Sequence, residues 1–306
     1  MNKINLGTSG LQVSQIALGC MRFGVKEQYE IEALLDKAVE LGINFVDHAD
    51  IYQWDKNSEE MFGEALKNKP SLREKLYIQT KCGIRRGFYD LSAEHIMESV
   101  ENSLRKLKVD KIDVLALHRP DALIEPEEVA KAFDMLKASG KVDYFGVSNM
   151  NPFQMQLIEK YSGQKLMVNQ VELSVVHSGL VDAGIFVNMK DSEGIVRDGG
   201  LLDYARLHEV TLQAWSIMQI SLHEGTFIDH ENYQALNSKL QELADCYGVT
   251  KNAIAVAWIL RHPAKIQAIA GTTDAKHLEE LSKASDVNLT RQQWYDLYLS
   301  AGHKLP

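Results

Sequence analysis

Residues 76–121 read LYIQTKCGIRRGFYDLSAEHIMESVENSLRKLKVDKIDVLALHRPD. The apolar run Leu76-Tyr77-Ile78 passes through polar turns into helical periodicity over 93–107, which gives way to a second apolar run, Ile112 to Leu117. Ser92-Ala93-Glu94-His95 supplies the capping signal for that helix. Apolar runs joined by a helix are the mark of parallel strands, because parallel neighbours need a crossover connection and are covered on both faces.

The same unit repeats outward in both directions. Upstream, Ile16-Ala17-Leu18 precedes a helix over 29–41 closed by Gly42, and Asn44-Phe45-Val46 precedes one over 58–67. Downstream, Ile112 to Leu117 leads into a helix over 127–138 followed by Gly140, and Tyr144 to Val147 into one over 152–160. Leu166 to Val171 is followed by an interrupted stretch, Thr211 to Trp215 precedes a helix over 232–247, and Gln267 to Ala270 precedes one over 275–284. Eight strand-like runs in roughly 270 residues predict an α/β fold, a closed (β/α)8 TIM barrel, and about 250 residues is the usual size of that unit. A doubly wound sheet is the competing arrangement, but Gly19-Cys20-Met21-Arg22-Phe23-Gly24 lacks the spacing of its phosphate-binding GxGxxG loop.

Ahead of the first run, Lys3 to Gly7 and Leu11 to Val13 flank Thr8-Ser9-Gly10 and predict a short N-terminal β-hairpin. Residues 1–306 are expected to form one domain. Val176 to Gly200, with five glycines, is too long for an ordinary connection between helix and strand. It is expected to form either a loop over the mouth of the barrel or a solvated insertion.

Of the 306 residues, 45% are hydrophobic and 25% charged, which excludes a disordered chain. Lysine and arginine number 33 against 42 acids, and the net charge of −9 has the wrong sign for binding nucleic acid or an anionic membrane surface. Cys20, Cys82 and Cys246 form no CxxC pair, so neither a disulfide framework nor a zinc site is suggested. The longest apolar run, Ala253 to Leu260, falls far short of the ~20 residues of a membrane helix, and the first residues lack a signal-peptide core. The expected setting is cytoplasmic, with no nucleic-acid or membrane partner.

In such a barrel the C-terminal ends of the strands aim their side chains into the active site. Four of those ends are polar here: Asp47-His48-Ala49-Asp50-Ile51-Tyr52, Thr80-Lys81-Cys82-Gly83, His118-Arg119-Pro120-Asp121 and Ser148-Asn149. A buried lysine costs several kcal/mol unless it is paired. One combination accounts for these residues together. Asp47 pairs with Lys81, Lys81 lowers the pKa of Tyr52, Tyr52 donates a proton to a reacting oxygen, and His118 hydrogen-bonds the same oxygen. Carbonyl reduction has that requirement, because hydride arriving at carbon builds charge on oxygen. A metal site from Asp47, His48 and Asp50 is disfavoured, because adjacent strand residues point to opposite faces.

These residues lie in motifs that resemble the aldo/keto reductase family. GTSGLQVSQIALGCMRFG, GINFVDHADIY, IQTKCG, SLRKLKVDKIDVLALHRPD, GKVDYFGVSN, NQVELS, LQAWS and AGTTDAKHLEEL follow its blocks in order across nearly all of residues 1–285. DHADIY with TKCGI and HRPD most resembles a bacterial subgroup of oxidoreductases. The resemblance implies a (β/α)8 barrel with NADPH across its C-terminal mouth, NADH being possible, a small carbonyl substrate, and a catalytic tetrad of Asp47, Tyr52, Lys81 and His118. It implies nicotinamide contacts from Ser148, Asn149 and Gln170, stacking by Trp215 with Ser216 beside it, and Gly19, Met21 and Asp47 near the nicotinamide ribose. Gly271, Thr272, Thr273, Lys276, His277 and Glu280 fall at the adenosine end. Trp54, Arg119 and His177, with His118, are the expected substrate walls.

Two departures accompany the resemblance. Where the family commonly has Pro-Leu-Gly and further glycines after the tryptophan, this chain reads Ile217-Met218-Gln219-Ile220-Ser221-Leu222. The cations expected to meet a 2′-phosphate are replaced by Gly271 or Thr273 and by His277, leaving Lys276 close by. The competing functions are a Schiff-base lyase using Lys81 and a nucleotide-sensing subunit with little turnover.

Overall fold

The structure, a computed structural model, describes residues 1–221 and 223–306; Leu222 of the departing segment lies outside the described residues. Eight parallel strands close into the expected TIM barrel: β1 Ile16–Gly19, β2 Phe45–Asp47, β3 Tyr77–Cys82, β4 Ile112–Leu117, β5 Val142–Ser148, β6 Leu166–Glu172, β7 Thr211–Trp215 and β8 Gln267–Ala270. Each pairs with its successor, and β8 returns to β1 with Ala268 opposite Ile16. Between them run α1 Gln28–Glu40, α2 Ser58–Asn68, α3 Ala93–Leu107, α4 Pro126–Ala138 and α5 Pro152–Ser162. Two short helices, α6 Gly179–Ile185 and α7 Leu201–Leu207, break the β6–β7 connection; α8 Gln234–Tyr247 and α9 Lys251–Leu260 occupy the next, and α10 Ala275–Ser282 and α11 Arg291–Ser300 follow β8.

Local chemistry sets these boundaries. Ser92 caps α3 by accepting from the His95 N–H, and Lys108 ends that helix in the left-handed conformation. Gly146 on β5 could carry no side chain, because a Cβ there would lie 2.3 Å from Val168 Cγ2 across the barrel wall. Where one helix was expected between β7 and β8 there are two. The apolar run from Ala253 to Leu260 is the second, and it is covered on nearly every side. The segment over 176–200 is shorter as loop than the glycines suggested, since α6 lies within it.

The core has two layers. The larger lies between strands and helices and includes Leu34, Phe62, Val100, Phe133, Leu240 and Trp258. The smaller fills the floor of the barrel with Ala17, Phe45, Val114, Val168 and Ile269. The N-terminal hairpin, Lys3–Asn5 against Gln12–Ser14, plugs that floor with Ile4, Leu6 and Val13. Above the apolar floor the interior turns polar, with Gln79, Lys81, Gln213 and Gln267 all fully enclosed.

Candidate active site

Alternation along β2 and β3 decides which side chains face the interior. Asp47 and Lys81 point inward and meet, Lys81 Nζ to Asp47 Oδ1 at 2.6 Å, and Nζ also donates to the His48 carbonyl at 2.6 Å. His48, the next residue, faces outward between Phe23 and Phe62. That inversion separates it from Asp47, and among the described residues no cluster of three or more His, Cys, Asp or Glu side chains is placed to hold a metal.

Tyr52 follows β2 on a turn whose Tyr52 N–H bonds the Ala49 carbonyl. Its ring centre lies 5.2 Å from Lys81 Nζ and 5.9 Å from the His118 ring, which stands edge-on to it. The tetrad is therefore one cluster, contributed by three successive strand ends. Burial opposes the charge of Lys81, but Asp47 and Tyr52 outweigh it and hold the ammonium above its ordinary value. Burial pushes the Tyr52 phenol up; Lys81 pulls it back and Asp47 adds to the rise. Lys81 thus acts in the expected sense, yet the sum stays above the ordinary phenol value, because enclosure penalises a phenolate more than one ammonium repays. His118 is pushed down to about 2, first by burial and then by Lys81 and Arg119, and its Nδ1 has no protein partner.

Asp47 is held by more than Lys81. Gln79 and Gln170 donate their amide nitrogens to the same Oδ1 at 2.7 and 3.0 Å. Nothing in the apolar patterning of strands 3 and 6 pointed to Gln79 in this role.

The residues expected around a nicotinamide lie on adjoining strand ends. Ser148 Oγ donates to the Gln170 carbonyl, Asn149 Nδ2 to Ser148 Oγ at 2.8 Å, and Trp215 Nε1 reaches Asn149 Oδ1 at 3.4 Å. Asn149 and Ser216 both have φ near +55°, rare for residues with a side chain, and such strain concentrates at functional sites. After Ser216, residues Gln219–Ser221 pair with Gly225–Thr226 as a small hairpin where a glycine-rich stretch was the family expectation. Gly19 on β1 packs against Ile269, and the Met21 carbonyl accepts from Trp54 Nε1 at 2.8 Å. The donor set of amides, hydroxyl and indole fits a nicotinamide nucleotide, and Gly271 leaves room beside it, since a Cβ there would meet only Arg22 Nη1 at 3.8 Å.

The residues expected at the adenosine end lie around the start of α10. There Asp274 caps the helix and accepts from the N–H groups of Lys276 and His277 at 2.7 and 3.1 Å. Thr272 Oγ1 is occupied by the Asp274 N–H. Thr273, Lys276, His277 and Glu280 stand around this cap at least partly open to solvent. A cation from another loop reaches the same region. Arg22, on the β1–α1 loop, donates to the Gly271 carbonyl at 3.1 Å and spans the gap between the two loops. Its position three residues after β1 was the only signal in the sequence.

A cleft of about 680 Å3 opens between Trp215, Asn149 and the 176–200 segment. It unites Arg119, His177 and Trp215 and adds Glu172, Asp182 and Arg197. Arg119 lies over the Trp215 ring at 5.9 Å. Trp54, tied to Met21, and His118 are not among the residues lining this cleft. The wall of the cleft is braced by the last helix, where Tyr298 donates to Asp182 at 2.8 Å, and by His303, 2.7 Å from the Val175 carbonyl.

Comparison with known proteins gives consistent results. The model of the aldo/keto reductase family matches residues 15–298. A 6-dehydroglucose reductase of Agrobacterium fabrum is 36% identical over 95% of both chains, and one of Novosphingobium aromaticivorans is 35% identical over 98% of this chain and 96% of its own. A thermostable aldo-keto reductase crystallised with the inhibitor epalrestat superposes with a TM-score of 0.78 at 26% identity, covering 98% of this chain and 100% of that one.

Proposed function

The chain belongs to the aldo/keto reductase family, and from that premise we propose that it reduces an aldehyde or ketone to the alcohol with hydride from NADPH, NADH serving less well. The observation that carries this reading is the enclosed Lys81–Asp47 pair beside Tyr52 and an uncharged His118. The bound nicotinamide supplies the hydride. As negative charge grows on the substrate oxygen, the Tyr52 hydroxyl donates its proton to that oxygen. Burial keeps the phenol protonated until then, and Lys81 stabilises the phenolate left behind. Asp47 keeps Lys81 charged, and His118, neutral at physiological pH, donates a ring N–H that orients and polarises the carbonyl.

Ser148, Asn149 and Gln170 would hold the carboxamide, Trp215 would stack on the ring, and Gly19, Met21 and Ser216 would border the ribose. Gly271, Thr272, Thr273, Lys276, His277 and Glu280 would surround the adenosine, with Arg22 as the nearby arginine. The charged walls of the cleft, Arg119, Glu172, Asp182 and Arg197, suit a small carbonyl compound bearing several hydroxyl groups better than a long apolar aldehyde. The names of the two 6-dehydroglucose reductases point the same way.

Tryptophan fluorescence titrated with NADPH and NADH, then loss of reduced-cofactor absorbance with a panel of hydroxylated and apolar carbonyls, tests the reading. Turnover of the hydroxylated members is expected, and tight cofactor retention with no turnover would replace it by the sensor reading. The lyase reading is weakened by the charge on Lys81, since an ammonium has no lone pair to attack a carbonyl. Borohydride trapping of a lysine adduct would restore it.

A further inference from the structure

Four glutamines cross the barrel interior at one level. Register places Gln170 beside Gln213 and Gln213 beside Gln267 on β6, β7 and β8, while Gln79 sits beside Asp47 on β3 and β2. Gln267 Nε2 donates to the Ser14 carbonyl at 2.7 Å, and Gln213 Nε2 donates to Gln267 Oε1 at 2.9 Å. Gln213 Oε1 then accepts from both Gln79 Nε2, at 2.8 Å, and Gln170 Nε2, at 3.3 Å. Both of those nitrogens give their other N–H to Asp47 Oδ1.

The two ends of this chain can only accept hydrogen bonds, one being a backbone carbonyl and the other a carboxylate. Ser14 forces Gln267 to present nitrogen downward and oxygen upward, which forces the same sense on Gln213. Both upper glutamines must then meet it with nitrogen. Reversing any one amide would set donor against donor or oxygen against oxygen in a dry interior, where an unmade bond costs its full desolvation. The chain therefore has one polarity. Gln170 is left with its Oε1 as the atom free to face the mouth, and it stands next to Ser148 in register.

We propose that Gln213 and Gln267, which touch neither Asp47 nor the mouth, are positioning residues: through Gln170 they fix an acceptor for the carboxamide NH2 of a bound nicotinamide. This inference rests on the nucleotide reading given above. It differs from simple packing because it predicts an effect confined to one end of the nucleotide.

The test measures dissociation constants by calorimetry for NADPH and for 2′-phospho-ADP-ribose, which lacks the nicotinamide, on the full chain and on Gln213→Met and Gln267→Met. In Gln213→Met the NADPH constant should rise about three- to tenfold, the worth of one neutral hydrogen bond, while that for the fragment stays unchanged. Gln267→Met should move NADPH alone, by less. If Gln213→Met does not fold, Gln267→Met carries the test. Equal weakening of both nucleotides, or no change in either, overturns the inference in favour of a structural role. A wild-type chain that binds neither of these nucleotides nor NADH overturns the oxidoreductase reading and this inference with it.

Discussion

The corner formed by the ends of β2, β3 and β4 and the opening of α10, the proposed adenosine end, are built on opposite principles. In the corner Lys81 has no exposed surface and Asp47 only 3%, and each charge meets a fixed partner. Beside α10 the side chains of Asp274, Lys276 and His277 stand in solvent, and the fixed contacts are those of a helix cap. Enclosed groups hold one geometry and have strongly displaced proton affinities, whereas solvated charges are screened and individually worth little. Proton chemistry is thus written into strand ends that cannot drift without unfolding the barrel. On the proposed reading, preference between nucleotides is left to a solvated surface.

Five measurements would break or sharpen this contrast, taken from the largest effect to the smallest. Tyr52→Phe should lower carbonyl reduction by on the order of a hundred- to ten-thousandfold, with NADPH affinity within a few fold of wild type. Wild-type-like turnover would take Tyr52 out of the chemistry. Lys81→Met leaves Asp47 enclosed without its cation and should cost about 3–5 kcal/mol of stability in denaturant titration. It should also displace the pH profile of turnover; an unchanged profile in folded variant would confine Lys81 to structure.

The third concerns acid. His48 is enclosed and pushed down to about 3, by burial and then by Lys81, so the folded chain refuses a proton that the unfolded chain accepts below about pH 6.5. Stability tied to the neutral ring is complete above that pH and is lost as pH falls toward 3. Between pH 7 and pH 5, His48→Leu should lose about 2 kcal/mol less than wild type, read from paired denaturation curves. Identical losses would show that His48 is not the acid-sensitive group.

At the open end the effects are smaller. Asp274→Ala should free the N–H groups of Lys276 and His277 and remove a negative charge, raising the preference for NADPH over NADH a few fold while costing about 1 kcal/mol from the lost cap. A preference that falls or stays put would place the 2′-phosphate elsewhere. Last, His277→Ala should weaken NADPH affinity modestly while NADH affinity stays nearly flat, because its side chain is proposed to meet the 2′-phosphate. Equal loss for both cofactors, or none for either, would remove His277 from that contact.

Much of the corner was legible because it violates an expectation: an apolar run ending in lysine or histidine needs a reason, and Lys81 and His118 announced theirs. The eight strands were legible because strands covered on both faces read as uninterrupted apolar runs. The helix over Lys251–Leu260 was not, since an element enclosed on all sides loses the polar stripe that gives helical periodicity its contrast. The glutamine chain was hidden for another reason. Gln79, Gln213 and Gln267 look like ordinary outward polar residues until closure of the sheet turns one face into an interior. Arg22 escaped because its partner, Gly271, is 249 positions away.

The meeting of the two ends of the chain bears on how the molecule is made. Asn2 donates to Ser285 through its backbone N–H at 2.8 Å and its side chain at 2.7 Å, and β1 has β8 as its outer neighbour. During synthesis from the N-terminus, β1 and the apolar side of the first hairpin must wait until Gln267–Ala270 leave the ribosome before their edge is covered. For most of translation the nascent chain therefore carries an open sheet edge and an unfilled floor, both of which invite pairing with other chains. Truncation before Gln267 should accordingly lower the yield of folded protein on expression, because it leaves that edge permanently open although every proposed catalytic side chain is already in the polypeptide.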